Sequence, residues 1–162
     1  MAISFDTDHN PIVGKAEKLE DDLVVITADN ASPMTFTGTR TYILGTENLI
    51  VIDPGPNSEA HLSSIMKYIG KRKVTDILLT HSHIDHSPLS RKLKTETGAR
   101  IIGFGSADEA RTSFMKKLSS SLDLGGEEGI DKDLVLDKKV VEKQILKLNN
   151  YSIEVVHTPG HL

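Results

Sequence analysis

The sequence has no cysteine and no tryptophan among its 162 residues, and aromatic residues make up only 4% of it. Without cysteine the chain has neither a disulfide framework nor a thiolate nucleophile, which fits a reducing compartment. Its first ten residues lack a basic segment followed by an apolar one, so we expect no signal peptide. No apolar run approaches the ~20 residues of a membrane span. We therefore expect a soluble, cytoplasmic protein with no membrane partner.

The charge balance also limits the function. The net charge is −4, with 38% hydrophobic and 26% charged residues, which is the composition of an ordinary globular protein. Nothing in that balance favours a nucleic-acid partner, although a local basic patch would be compatible with it. The length predicts a single domain over residues 1–162, with residues 1–20 as a polar amino-terminal arm or an edge of the domain.

Metal-ligating residue types cluster directly after a short apolar run at 77–79. His81, His83, Asp85 and His86 place three imidazoles and one carboxylate within six residues. A strand that ends in such a cluster delivers it to the carboxyl edge of a sheet, where open α/β folds place their sites. A lone histidine is usually a surface or core residue, but four such groups together at a strand end bring no evident structural benefit. The cluster therefore predicts a metal site.

The spacing of these residues indicates two neighbouring metal positions. His81 and His83 alternate as on a strand end, so both can point the same way, whereas Asp85 and His86 follow in the turn and can point elsewhere. Nitrogen and carboxylate ligands favour zinc, with iron and manganese as alternatives.

Short apolar runs alternate with helix signals along the rest of the chain, which predicts an α/β fold. Strands are predicted at 23–26, 41–44, 49–52, 74–79, 99–103, 134–136, 140–141, 145–148 and 153–156. Three helices are predicted: from an N-cap at Ser58 to Gly70, from Ser87 and Pro88 to Gly98, and from a capping box of Ser106 and Glu109 to about Ser120. His61 falls off the apolar stripe of the first helix, so we expect it on the surface.

Asp53 stops the strand at 49–52, and two interpretations of it stay open. As a structural residue it would cap the turn formed with Pro54 and Gly55. As a functional residue it would accept a ring N–H from a metal-bound histidine and fix its tautomer.

The H-x-H-x-D-H pattern after a hydrophobic strand resembles the metallo-β-lactamase superfamily of hydrolases. Segments 41–45 and 51–56 upstream, and 157–161 at the end, agree with it and look most like the glyoxalase II and LACTB2-like branch. The resemblance implies an αββα sandwich in which metal-activated water hydrolyses a small-molecule substrate. It implies one or two zinc ions, but leaves a thioester, an ester and a phosphodiester substrate open.

The resemblance also implies roles for particular residues. His161 would join His81 and His83 at the first metal position, while His157 would shape the loop. Asp85 and His86 would begin the second position, with Asp85 orienting or deprotonating the attacking water. The resemblance favours the outer-shell role for Asp53.

Family members continue beyond the equivalent of Leu162, with a bridging aspartate and a further histidine. We therefore expect the chain to be the amino-terminal part of such a hydrolase, truncated after the 157–161 motif. An uncovered sheet would then favour a homodimer. Two alternatives stay open: a catalytically inactive fold remnant, and a LACTB2-like RNA endonuclease.

Overall fold

The computed structural model describes residues 10–106, 109, 113, 117 and 129–159. The named elements of these residues are, in chain order, β1 (Ala16–Glu20), β2 (Leu23–Thr27), β3 (Arg40–Leu44), β4 (Asn48–Ile52), α1 (Glu59–Ile69), β5 (Lys73–Leu78), α2 (Leu89–Thr97), β6 (Arg100–Gly103), β7 (Lys138–Lys139), β8 (Ile145–Leu148) and β9 (Tyr151–Glu154). Residues 16–20 of the predicted amino-terminal arm are thus the edge strand β1. Within the described ranges no helix is both long enough and apolar enough to cross a membrane.

Strands β1 to β7 form one mixed sheet in which they follow each other in chain order. The first four pair antiparallel, and β3 and β4 form a hairpin with Tyr42 opposite Ile52. From β4 to β7 the pairing is parallel, with α1 and α2 as the crossovers of two βαβ units. Because Ile52 pairs with Leu78, the residues that follow β4 and β5 emerge side by side at one edge of the sheet.

Both faces of the central strands are covered, which explains their continuous apolar runs. Leu49, Val51 and Ile77 face a core shared with the helices, to which α1 contributes Ile65 and α2 contributes Leu93. The first core therefore lies between the helices and the large sheet.

The second core lies on the opposite face. Ile50 and Ile102 of the large sheet pack there with Leu146 and Leu148 of β8. Strands β8 and β9 form a separate antiparallel hairpin. Helices, large sheet and small sheet form three successive layers, as expected for part of an αββα sandwich.

The predicted strands at 134–136 and 140–141 are wrong. The strand in this segment is β7, which lies between them and pairs with Ile102 and Gly103. Leu136 and Val140 are apolar because they pack against the two cores from irregular backbone, and not because they are paired in a sheet. A two-residue edge strand made of lysines leaves no apolar signature in the sequence.

The capping box is confirmed. The Ser106 backbone N–H donates to Glu109 Oε2 at 3.0 Å, and the Glu109 N–H donates to Ser106 Oγ at 3.4 Å. Most of the helix predicted to follow, up to about Ser120, lies outside the described residues.

Candidate metal site

The predicted histidine cluster forms a tight turn after β5. The backbone N–H groups of His86 and Ser87 both lie 3.0 Å from the His83 carbonyl and donate to it. This turn brings the rings together: the His81 and His83 centroids are 4.7 Å apart, and those of His81 and His86 are 4.2 Å apart. Residues separated in sequence by up to five positions thus present adjacent imidazoles.

Asp53 extends β4 towards this turn. Its backbone N–H donates to the Leu78 carbonyl at 2.9 Å, and its φ of 48° is uncommon for a residue with a side chain. The buried carboxylate accepts the Thr80 N–H on Oδ1 at 2.8 Å and the Thr80 hydroxyl on Oδ2 at 2.6 Å. These hydrogen bonds hold a backbone conformation that is costly by itself, a feature that often accompanies functional sites.

Asp53 also contacts a predicted ligand. Its Oδ2 lies 3.0 Å from Nδ1 of His86, the contact that the outer-shell interpretation of Asp53 requires. Burial alone would lower the pKa of His86, but the hydrogen bond to Asp53 and the charges of Asp53 and Asp85 outweigh it, so the pKa is raised. The Asp53 carboxylate therefore orients this imidazole.

Asp85 is held from the other side by the loop before β3. Thr39 Oγ1 donates to Asp85 Oδ2 at 3.0 Å, and the Asn30 side chain holds Thr39 through contacts of 2.9 Å to its N–H and 3.0 Å to its hydroxyl. The same Asp85 oxygen lies 3.3 Å from His86 Nε2. The two carboxylates, Asp53 and Asp85, therefore flank one ring.

Asp53, His81 and His86 offer donor atoms that all lie within 4.8 Å of one another. His81 and His86 are two imidazole donors of the kind that suits zinc, and Asp53 meets them as the carboxylate that orients His86, so the residues present fit the predicted ion. His83 and Asp85 adjoin this trio in the described part of the chain but are not members of it, and His161 lies outside the described residues. The predicted assignment of ligands to two positions stays a prediction.

His61 was predicted on the surface, and that prediction is wrong, because the residue is only 3% exposed. The Thr41 hydroxyl donates to the Asp53 carbonyl at 2.8 Å, so its single proton is used there. His61 Nε2, 2.8 Å from the same hydroxyl, must therefore be the donor in that contact. Burial lowers the pKa of His61 to about 4. The spacing of His61, Ile65 and Ile69 at i, i+4 and i+8 is the signal that could have placed this histidine on the buried face.

A cavity of about 430 Å³ lies between the two sheets and reaches His81. Most of its lining is aliphatic, from strands of both sheets. Phe104 and His157 also line it, with their rings stacked at 4.2 Å. The cavity is therefore a largely apolar space that opens next to the histidine cluster.

Comparison with known proteins agrees with this geometry. Residues 34–162 match the family described as the metallo-beta-lactamase superfamily. Hydroxyacylglutathione hydrolase GloC of Haemophilus influenzae is 30% identical over 115 residues, which cover 71% of this chain and 52% of that protein. A beta-lactamase-like protein 2 homolog of Drosophila melanogaster is 31% identical over 160 residues, covering 93% of this chain and 49% of that protein.

Among solved structures, the native FEZ-1 metallo-beta-lactamase of Legionella gormanii superposes with a TM-score of 0.66 at 18% identity, covering 94% of this chain and 56% of that one. The chain thus spans about half the length of the curated relatives that it matches. The family match covers most of the chain and includes the whole histidine cluster, and the fold agrees with it. The chain therefore belongs to the metallo-β-lactamase superfamily.

Proposed function

We propose that this chain carries the metal site of a zinc-dependent hydrolase that cleaves a thioester or a related acyl bond with activated water. The observation that carries the proposal is the meeting of Asp53, His81 and His86 donor atoms where β4 and β5 end. Imidazole and carboxylate donors favour zinc over magnesium or calcium, with iron and manganese as alternatives.

A bound zinc ion would supply Lewis acidity, polarising a scissile carbonyl and making water acidic enough to react near neutral pH. His81 would be a ligand at the first metal position and His86 a ligand at the second, with Asp53 fixing the orientation of the His86 ring through its Nδ1. His83 and the predicted ligand His161 would complete the first metal position.

Asp85 is the proposed general base. Its carboxylate is held by the Thr39 hydroxyl at 3.0 Å and is partly exposed, so it can orient an attacking water and take its proton. Together with His86, Asp85 would also bind a metal ion at the second position.

The substrate class is supported by one relative and by the cavity. The relative from H. influenzae is named a hydroxyacylglutathione hydrolase, and an acylglutathione is a thioester. None of the described residues that line the cavity beside His81 is a lysine or an arginine, whereas Glu154 is among them. Such a lining suits an uncharged acyl group better than the phosphates of RNA.

The test is the release of thiol from an acyl thioester by the zinc-loaded protein. We expect hydrolysis by the wild-type chain and a loss of about 10²- to 10⁴-fold in kcat in Asp85→Asn. Asp29→Asn is the matched control: it makes the same substitution at an exposed carboxylate near β2 and should keep full activity.

Three outcomes would contradict the proposal. Zinc binding without hydrolysis would favour a catalytically inactive metal-binding protein. Cleavage of an RNA phosphodiester in place of the thioester would favour the nuclease alternative. Equal rates of thioester hydrolysis in wild type and Asp85→Asn would show that Asp85 takes no part in the reaction.

A further inference from the structure

Asp131 is a buried carboxylate that joins the segment before β7 to the histidine turn. Its side chain is only 4% exposed. Arg91 Nη1 lies 2.9 and 2.8 Å from its two oxygens, and the Asp133 N–H donates to Oδ1 at 3.2 Å. A buried charge needs such partners, since its desolvation is otherwise uncompensated.

Ser87 supplies the remaining side-chain contact. Predicted as the N-cap of α2, it does not cap the helix, because Pro88 occupies that position without a side-chain hydrogen bond. The fully buried Ser87 hydroxyl lies 2.9 Å from Asp131 Oδ2 and 3.2 Å from the His83 carbonyl. It has one proton, and the shorter contact to the charged acceptor takes it. The cap prediction failed because this carboxylate, 44 positions away, engages the hydroxyl.

Backbone contacts tie the same segment to the turn. The Asp131 N–H donates to the Ser82 carbonyl at 2.8 Å, and the Ile84 N–H donates to the Gly129 carbonyl at 2.9 Å. His83 and Ile130 form an isolated β-bridge between these two hydrogen bonds. Residues 129–131 therefore run alongside residues 82–84, which carry one predicted ligand, His83, and adjoin two others, His81 and Asp85.

We propose that Asp131 is a positioning residue for the metal site, which rests on the zinc function proposed above. Asp131 reaches the turn at Ser82 through its backbone and at Ser87 through its carboxylate, so it fixes both ends of the segment that bears His83, Asp85 and His86. If the turn is already ordered before the metal binds, zinc binding does not have to offset the conformational entropy lost when the ligands become ordered. Removing the carboxylate should therefore weaken zinc binding without removing any ligand.

The alternative is an ion pair that only stabilises the fold, and the chain contains a matched control for it. Lys94, also on α2, pairs with Asp137 from the same downstream segment at 2.5 Å. Asp137 accepts the Ile101 N–H at 2.8 Å, so this pair braces β6 and not the histidine turn. Asp137→Asn thus removes an ion pair outside the site between the same two segments, although the Asp137 side chain, at 32% exposed, is less buried than that of Asp131.

The experiment measures the Kd for zinc by competition with a chelator, and backbone amide exchange in the metal-free protein, for wild type, Asp131→Asn and Asp137→Asn. We expect Asp131→Asn to raise the zinc Kd about tenfold and to speed exchange at the Ile84 amide. Asp137→Asn should leave the zinc Kd within about twofold of wild type. Ser87→Ala, a milder change that removes one hydrogen bond to Asp131, should raise the Kd severalfold and is informative even if Asp131→Asn folds poorly.

An unchanged zinc Kd in Asp131→Asn and Ser87→Ala, with wild type binding zinc, would overturn the positioning role alone. Equal increases in Asp131→Asn and Asp137→Asn would also overturn it, because they would report a general loss of stability. A wild-type chain that binds no zinc would overturn the proposed function and the positioning role together.

Discussion

His61 links α1 to the candidate metal site through Thr41, and it is neutral at physiological pH because its pKa is lowered to about 4. Its Nε2 carries the proton that it donates to the Thr41 hydroxyl oxygen. Its buried Nδ1 has no hydrogen-bond partner among the described residues. Burial penalises the charged ring and so lowers the pKa of His61, and a second proton would also leave an unsatisfied buried donor at Nδ1.

Protonation of His61 should make the fold acid-labile. Its pKa falls from the ordinary 6.5 to about 4 on folding, so the unfolded chain binds the extra proton between these values. This contribution to the free energy of unfolding is complete above pH 6.5, and is lost progressively as the pH falls to 4, by up to about 3 kcal/mol. Urea unfolding midpoints between pH 7 and 4 measure it.

His61→Gln is the control for this prediction. The glutamine amide can donate to the Thr41 hydroxyl as Nε2 does, but it does not titrate in this range. The variant should lose less stability than wild type between pH 6.5 and 4. Parallel pH profiles for the two proteins would contradict a buried neutral His61.

At the residue scale, the sequence predicted those functional side chains that lie close to one another along the chain. His81, His83 and His86 stand out because clustered imidazoles at a strand end serve no packing purpose, and the structure places their rings together. The hydrogen bond of His61 with Thr41 joins residues 20 positions apart, and the role of Asp131 depends on Arg91, 40 positions away. Such contacts arise only from the tertiary fold.

At the element scale the turn after β4 sets the approach of Asp53 to the histidines. Gly55 donates its N–H to the His86 carbonyl at 2.9 Å, and its carbonyl accepts the Leu89 N–H at 3.2 Å. Its φ is 96°, and a Cβ there would come within 3.0 Å of the His61 ring. The turn thus joins both βαβ units at the site, and only glycine fits it without strain.

Gly55→Ala should therefore destabilise the protein by more than backbone strain alone. Gly98→Ala is the matched control, since Gly98 also has a positive φ of 73° but an added Cβ would meet nothing within 4 Å. We expect Gly98→Ala to cost about 1 kcal/mol in the free energy of unfolding. Gly55→Ala should cost at least about 1 kcal/mol more, because His61 must shift.

Urea titrations of the two variants measure this difference. Equal unfolding midpoints would show that the contact with His61 does not constrain the turn.

The elements that the sequence predicted well are those with a strong apolar pattern. β4, β5 and β6 are buried on both faces, so their continuous runs identify them. β7 could not be predicted, because its two lysines are exposed and only their backbone pairs with β6. Packing and strand pairing are separate requirements, and only packing leaves a residue pattern.

At the scale of the whole molecule, helices, large sheet and small sheet place the candidate site where β4 and β5 end, with the cavity between the sheets beside it. The resemblance predicted this architecture, and the family match confirms it. Neither the described residues nor the comparisons support a homodimer or a nucleic-acid partner. The homodimer and the cytoplasmic location stay predictions, and the nucleic-acid partner stays an alternative that the sequence does not favour.

The most direct test of the account is the zinc content of the purified chain, measured by elemental mass spectrometry after zinc loading and dialysis. We expect at least about one zinc ion per wild-type chain. We expect a loss of that zinc in His81→Ala and its retention in His157→Ala, whose ring stacks on Phe104. A wild-type chain without zinc, or a His81→Ala variant that keeps it, would contradict the central claim that this histidine turn holds a catalytic metal.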